Sequence, residues 1–244
     1  MFEPLARIVI DHAAPKPGEH VLDAACGTGI VARSVAPLVG GSGRIVGLDF
    51  DPLMIAAAKR LAPEIEWQQG DLQRLPFPDA LFDLVICQQG LQFLPDRDTG
   101  LREIHRVLHG GGRMVLGIWT ELAKAPGHAV LFGALGKLLG VDMSRPPAWS
   151  LADKAEVLKL VGAAGFGAVE TSIVSLRARF PSARRFIEMM IGGSSKLTRQ
   201  TLAQIPAARR NVFIDDVAAN LHEYETGAGL ELPLESRLLV AYKR

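Results

Sequence analysis

Val21-Leu22-Asp23-Ala24-Ala25-Cys26-Gly27-Thr28-Gly29 is a short apolar run that ends on an acid and opens into a Gly-x-Gly turn. The spacing predicts a strand over His20–Ala24, entered from the Pro15-Lys16-Pro17-Gly18 turn. A helix follows from about Ile30 to Val39, broken by Gly40-Gly41-Ser42-Gly43. Glycines between a strand and a helix start carry no Cβ, so a ligand can come close to the bare backbone and the helix N-terminus. Gly27 to Ala32 also satisfies the G-x-G-x-x-A form of the dinucleotide fingerprint, so an NAD site is the first alternative to be met.

Three acids argue against that alternative or extend beyond it. Asp23 stands four residues before Gly27, where a carboxylate would repel a pyrophosphate and suit a ligand bearing an ammonium group. Arg44–Leu48 reads as a second strand ending at Asp49, twenty residues after Gly29, where an acid can accept hydrogen bonds from both ribose hydroxyls. Asp49 does not discriminate, because NAD and other nucleoside ligands share that feature. Asp51-Pro52 supplies a cap and a first-turn proline for a helix through Leu61. Ile65–Gln69 is a third strand, followed by Gly70-Asp71-Leu72, where an acid can accept from an exocyclic amine while a neighbouring N–H donates to a ring.

Strand and helix signals go on alternating. Asp83–Cys87 is a fourth strand; Asp96 or Asp98 caps a helix with Leu101, Ile104, Val107 and Leu108 on one face; Gly110-Gly111-Gly112 is expected to stop it; Arg113–Trp119 is the fifth strand. Such alternation predicts an α/β fold, a parallel sheet with helices on both faces. Further on, Ser150-Leu151-Ala152-Asp153 opens a helix to about Ala164, and Ala168–Phe180 and Leu230–Lys243 alternate as strands. Residues 181–229 between them are mostly helical, the natural place for a lid, with 120–149 as its second part. The lid's apolar side chains (Phe186, Ile187, Met189, Met190, Ile191, Leu197, Leu202, Val212, Phe213, Ile214) suggest a moderately apolar ligand. The expected organisation is a single domain over 1–244: 18–119 as the cofactor-binding half, the two lid segments, and 150–180 with 230–244 as the remaining helix and strands.

Composition narrows the class. The chain of 244 residues has 27 Lys+Arg against 26 Asp+Glu, so a general electrostatic grip on nucleic acid is not expected. Cys26 and Cys87 are the two cysteines, too few for a disulfide scaffold and without C-x-x-C spacing, which fits reduced thiols, no metal site and a cytoplasmic protein. No apolar run reaches the length of a membrane span, and the first residues lack the pattern of a signal peptide. Arg177, Arg179, Arg184 and Arg185 read as a solvated strand edge and helix start, with a site for an acidic substrate or lipid headgroup as the alternative.

VLDAACGTG, GLDFDP, QGDLQRLPFPDALFDLVICQQGLQF and LREIHRVLHGGGRMVL, in this order over residues 18–119, resemble the successive motifs of class I S-adenosylmethionine-dependent methyltransferases, the UbiE/COQ5-like (methyltransferase type 11) branch most of all. The resemblance implies a Rossmann-like, doubly wound seven-stranded sheet, mostly parallel with an antiparallel last strand, and a helical lid between the last two strands. It implies S-adenosyl-L-methionine as cofactor and a small-molecule acceptor. Asp23 would lie close to the methionine portion, with backbone around Ala24, Cys26, Gly27 and Gly29 lining the turn. Asp49 would bind the ribose, Phe50 and Met54 pack on the adenine, Asp71 and the Leu72 backbone read its edge, and Gln88 face the methionyl end. Many relatives have Gly at Ala25, whose methyl would then stand near the cofactor, and Pro-Gly-Gly where this chain has Gly110-Gly111-Gly112.

The acceptor side is thinly written. Gln89, Gln92, Phe93 and Trp119 fall at the ends of the fourth and fifth strands and are candidates to touch the substrate; His12, Glu121 and His128 are the candidates for a base. No Asn/Asp-Pro-Pro-Tyr/Phe tetrad follows the fourth strand, so methylation of nucleobase amines is not expected. A cofactor-binding module without catalysis is the alternative from another class.

Overall fold

The computed structural model describes residues 2–192 and 196–244, with the side chains of Phe2 and of residues 196–198, Leu197 among them, outside the description. The chain runs α1 (Phe2–Ala13), β1 (His20–Ala24), α2 (Ile30–Val39), β2 (Arg44–Asp49), α3 (Pro52–Leu61), β3 (Glu66–Gln69), β4 (Phe82–Gln88), α4 (Arg97–Val107), β5 (Leu108–Trp119), α5 (Pro126–Leu139), α6 (Lys154–Ala163) and β6 (Phe166–Phe180). It continues through α7 (Ala183–Gly192), α8 (Lys196–Ala203), α9 (Ala207–Ala219), β7 (Glu225–Thr226) and β8 (Gly229–Lys243). Strand order is β3-β2-β1-β4-β5-β8-β6, and β7 pairs with β8. Neighbours from β3 to β5 are parallel, while β8 runs antiparallel to β5. Among the described residues the expected seven strands become eight, because Glu225–Thr226 folds back on Gly229–Leu230 as a two-residue hairpin arm.

Chain contacts separate two compact units: residues 2–120, 147–174 and 236–244 in the larger, 121–146 and 175–235 in the smaller. In the larger unit the sheet is buried on both faces, and period-two alternation sorts the side chains. Leu22, Val46, Val85, Cys87, Met114 and Leu116 join one apolar cluster with Leu101 and Ile104 of α4 and Val157 and Val161 of α6. Val21, Leu84, Ile86 and Val115 point the other way and are equally buried. On that side α1 packs against α2, β4 and β5. Helix α1 forms because Leu5, Ala6, Val9, Ile10 and Ala13 recur along one face and are buried there.

Three local expectations are corrected. Gly110-Gly111-Gly112 does not stop α4: the helix ends at Val107, Leu108 already begins β5, and the glycines bulge out of the ladder. Phe82 pairs with Leu108 and Leu84 with Arg113, so the extra residues are extruded there, with Gly111 at φ +82°. The cap of α6 is Asp153, whose side chain accepts from Glu156 N at 2.8 Å; Ser150 instead holds Gln92 O and Arg97. Strands β4, β6 and β8 begin a residue or two earlier than their apolar runs predict.

In the smaller unit, α9 packs on both α5 and α7, with Phe186, Ile187, Leu202, Phe213 and Ile214 buried. At its surface Arg179 pairs with Glu231 and Arg184 with Asp215. Among the described residues no helix is long and apolar enough to cross a membrane.

Candidate functional site

Parallel pairing brings Asp23 near the end of β1, Asp49 at the end of β2 and Asp71 just past β3 to one end of the sheet. The turn after β1 is built by backbone bonds and by these acids. Cys26 N donates to Leu48 O at 2.9 Å, and Gly29 N to Cys26 O at 2.8 Å. Asp49 spends one carboxylate oxygen on Gly27 N (2.8 Å) and the other on Asp51 N (2.9 Å). The Asp23 carboxylate accepts from Ala32 N at 2.9 Å in the first turn of α2, where the N-cap residue Gly29 has no side chain to offer. Asp23 is thus a helix cap supplied from the strand as well as a charge beneath the turn.

The two glycines of the turn have different reasons to be glycine. Gly29, at φ +80°, lies against Trp67, and a Cβ there would stand 2.1 Å from the indole ring. Gly47 is held bare by the same ring, at 2.3 Å. Trp67 itself is fixed by a bond from Nε1 to Ala62 O at 2.7 Å. Gly27, at φ +55°, has nothing within 4 Å of the Cβ it lacks. Gly29 therefore serves packing, while Gly27 leaves open space above the backbone. Trp67 escaped the sequence reading because a tryptophan on a four-residue strand announces only burial.

Burial shapes the electrostatics. Asp23 is 1% exposed, and desolvation pushes its carboxyl up to about 7, the charge of Asp49 adding to the effect. Burial and the two aspartates drive the Cys26 thiol far above its ordinary range, and burial pushes Cys87 up to about 12, so neither is a ready nucleophile. Asp71 accepts from Gln73 N at 2.8 Å. Leu72 buries its side chain in the core cluster. Phe50 and Met54 are exposed rather than part of the core, at 74% and 39%. Ala25, at φ +58°, does not turn its methyl outward: a Cβ on Gly90 would meet it at 2.5 Å, so the departure from Gly at 25 is matched by Gly at 90.

The acceptor-side candidates divide. Gln89, expected to touch substrate, is buried with both ends of its carboxamide engaged: Nε2 donates to Ser236 Oγ at 3.1 Å and Oε1 accepts from Gln92 Nε2 at 2.7 Å. Trp119 is buried and stacked on Trp149, centroids 6.0 Å apart. Phe93 is exposed, and Gln88 is half-buried at the end of β4. His12 is not brought to this end. It ends α1 beside Ala13 and Ala14, whose carbonyls bind Arg113 at the opposite, amino-terminal end of β5, and its ring meets Ile8 O and Ser172 Oγ. Chain order suggested proximity; helix α1 carries His12 away. Glu121 is exposed in the smaller unit. His128 is buried there edge-on to Phe186, and desolvation lowers it to about 4, leaving the ring neutral.

Comparison with known proteins places part of the chain beside a methyltransferase domain. Residues 22–116 match the model of a methyltransferase domain. A demethylmenaquinone methyltransferase of Lysinibacillus sphaericus is 40% identical over 50% of this chain and 53% of its own length. A 2-phytyl-1,4-naphthoquinone methyltransferase of Synechococcus elongatus is 39% identical over 45% of this chain and 50% of its own. The chain spans about half the length of these curated relatives. Among solved structures, the YcgJ protein of Bacillus subtilis superposes with a TM-score of 0.65 at 21% identity over 98% of this chain and 97% of that one, a likeness of fold.

Proposed function

We propose, from the match of residues 22–116 to a methyltransferase domain, that this chain transfers a methyl group from S-adenosylmethionine to a small, moderately apolar acceptor. The observation that carries the reading is the open space over Gly27, bounded by the carboxylate of Asp49 that holds the turn. A cofactor that needs bare backbone beside two carboxylates fits there. Asp49 keeps lone pairs on both oxygens for the two ribose hydroxyls. Asp71 and the Leu72 N–H serve the adenine edge, and the exposed side chains of Phe50 and Met54 supply its apolar cover. Asp23 favours the ammonium-bearing end, with Ala24, Cys26, Gly27 and Gly29 as the backbone lining and Gln88 facing the same portion.

The cofactor supplies an activated methyl on a sulfonium; what the chain contributes is alignment, which alone accounts for much of such a transfer. His12 stands at the wrong end of the sheet, and no histidine–carboxylate dyad lies among Asp23, Asp49, Asp71 and the glutamines after β4. Single substitutions His12→Ala, Glu121→Ala and His128→Ala should therefore each leave turnover within about a hundredfold of wild type, below the roughly 10²–10⁴-fold a positioned base contributes. The relatives' names mention demethylmenaquinone and a phytylated naphthoquinone, so a planar aromatic acceptor is the reading to test first. The smaller unit, rich in buried apolar side chains, governs acceptor choice and leaves cofactor affinity alone. A cytoplasmic location belongs to the same proposal. Titration of the purified protein with S-adenosylhomocysteine and with NAD, then mass spectrometry of extract supplied with methyl-labelled cofactor, tests the proposal. Binding of NAD in place of the adenosyl ligand would refute it.

A further inference from the structure

A chain of hydrogen bonds runs from the tip of β5 to the turn after β4. Ser236 Oγ donates to Ile118 O at 2.9 Å, Gln89 Nε2 donates to Ser236 Oγ at 3.1 Å, and Gln92 Nε2 donates to Gln89 Oε1 at 2.7 Å. Carboxamide nitrogen and oxygen are ordinarily hard to tell apart, but this chain has a fixed polarity. Ile118 O is a backbone carbonyl and can only accept. Ser236 has one hydroxyl proton and spends it there, so Gln89 must offer Ser236 its NH2 group. That leaves Gln89 Oε1 toward Gln92, and Gln92 must answer with its own NH2. The far end of the relay is then Gln92 Oε1, an acceptor whose identity is dictated from Ile118.

That oxygen is buried and has no hydrogen-bond partner, and the same is true of Gln88 Oε1 at the end of β4. Gln92 is 3% exposed. A buried carbonyl oxygen left alone costs free energy, so a protein that builds a relay to present one has a donor for it. Further construction surrounds the spot. Gln89, a non-glycine residue, is held at φ +57° with its N–H on Gly117 O at 2.8 Å, and the Gln92 carbonyl is tied by Ser150 Oγ at 2.9 Å. The residue is thus pinned through backbone and side chain, with one atom left over.

We propose that Gln92 Oε1 is the anchor for a hydroxyl or N–H of the methyl acceptor, with Gln89 and Ser236 as positioning residues that keep the oxygen turned toward it. The substrate class follows: a hydrogen-bond donor such as a phenol, a hydroquinone or an amine, rather than a molecule that offers only carbonyl or ether oxygens. The inference deepens the proposed methyl transfer and rests on it.

Matched probes test it. 1,4-Dihydroxynaphthalene is compared with 1,4-dimethoxynaphthalene, and aniline with N,N-dimethylaniline, by titration under reducing conditions into protein saturated with S-adenosylhomocysteine. The donor of at least one pair should bind about tenfold tighter than its blocked partner, the worth of one well-placed hydrogen bond. Gln92→Met should bring that ratio near one with S-adenosylhomocysteine affinity unchanged. Ser236→Ala, which touches no ligand, should lower it partway by freeing the amides to turn over. Equal treatment of both members of each pair by wild type, bound or unbound, overturns the proposal. So does a Gln92→Met protein that loses thermal stability but keeps the ratio, the signature of an oxygen serving a resident water. Failure to bind S-adenosylhomocysteine would bring down the methyl-transfer reading itself and this inference with it.

Discussion

At the start of the strands in the larger unit, charge meets charge. Arg113 grips both oxygens of Glu19 at 2.8 and 2.9 Å, Arg44 does the same to Glu66, and His109 sits against Asp83. At the other end of the same sheet, among the described residues Asp23, Asp49 and Asp71 form no salt bridge; their partners are N–H groups of Ala32, Gly27, Asp51 and Gln73. An ion pair spends its field on its partner, whereas a carboxylate held by amides keeps a negative potential and free lone pairs. One end holds the fold; under the proposed function the other holds a cationic, hydroxylated ligand.

The largest effect that sharpens this contrast lies within one turn. Gly29→Ala drives a methyl into Trp67 in a left-handed conformation and should cost about 3 kcal/mol or more, seen as a steep fall in melting temperature. Gly27→Ala meets no atom and should cost only about 1 kcal/mol of backbone strain, yet weaken S-adenosylhomocysteine binding at least tenfold, by about 1.4 kcal/mol. Equal stability losses in the two variants would break the distinction between a packing glycine and a ligand glycine.

The next pair sets end against end. Arg113→Met strands Glu19, a partly buried acid that burial disfavours but Arg113 and the Lys16 N–H hold below its usual range, and should cost about 2 kcal/mol without changing cofactor affinity. Asp49→Asn keeps an acceptor for Gly27 N but loses the charge, and should lower affinity by about tenfold to a hundredfold with a smaller stability change. Calorimetric and thermal titrations of both proteins check the crossing.

How much of this was legible in the sequence follows from range. Strands β1 and β2, helices α2 and α3 and the spacing of Asp23, Asp49 and Asp71 depend on neighbours and periodicity, and were read within a residue or two. Helix α1 carries its signal only in the spacing of the buried Leu5, Val9 and Ile10. The capping duty of Asp23, the pairing of Ala25 with Gly90 and the Gln89–Ser236 bond join residues far apart in the chain, and no local pattern encodes them. Gln89 and Gln92 are legible as polar residues at a strand end; the polarity of the relay, which singles out Gln92 Oε1 for the proposed donor, is not.

A smaller effect is set by pH. Burial raises Asp23 to about 7, so in the empty protein its proton is retained longer than in the unfolded chain, and this contribution to stability declines as pH rises from the ordinary carboxylate range through about 7. Binding of a cation works the other way, so S-adenosylmethionine affinity should rise with pH up to about 7 and then level off. Asp23→Asn should flatten the profile, and titrations in buffers of different ionisation enthalpy should show proton release only in wild type. The least effect is at the amino-terminal end. His109 is raised by its bond to Asp83 and by the Gly110 carbonyl, so its contribution is complete below its ordinary value near 6.5 and is lost as pH climbs through the raised one. Both groups are partly exposed, and His109→Gln should remove a slope of about 0.5 kcal/mol across that interval.

The central claim, that the carboxyl-terminal end of β1 to β3 is the cofactor site, is met most directly by a crystal structure with S-adenosylhomocysteine. The adenosyl group is expected above Gly27, with the ribose hydroxyls on the Asp49 carboxylate and the adenine edge at Asp71. Density for the ligand elsewhere, with the space over Gly27 empty and Asp49 bonded as in the free protein, would contradict it.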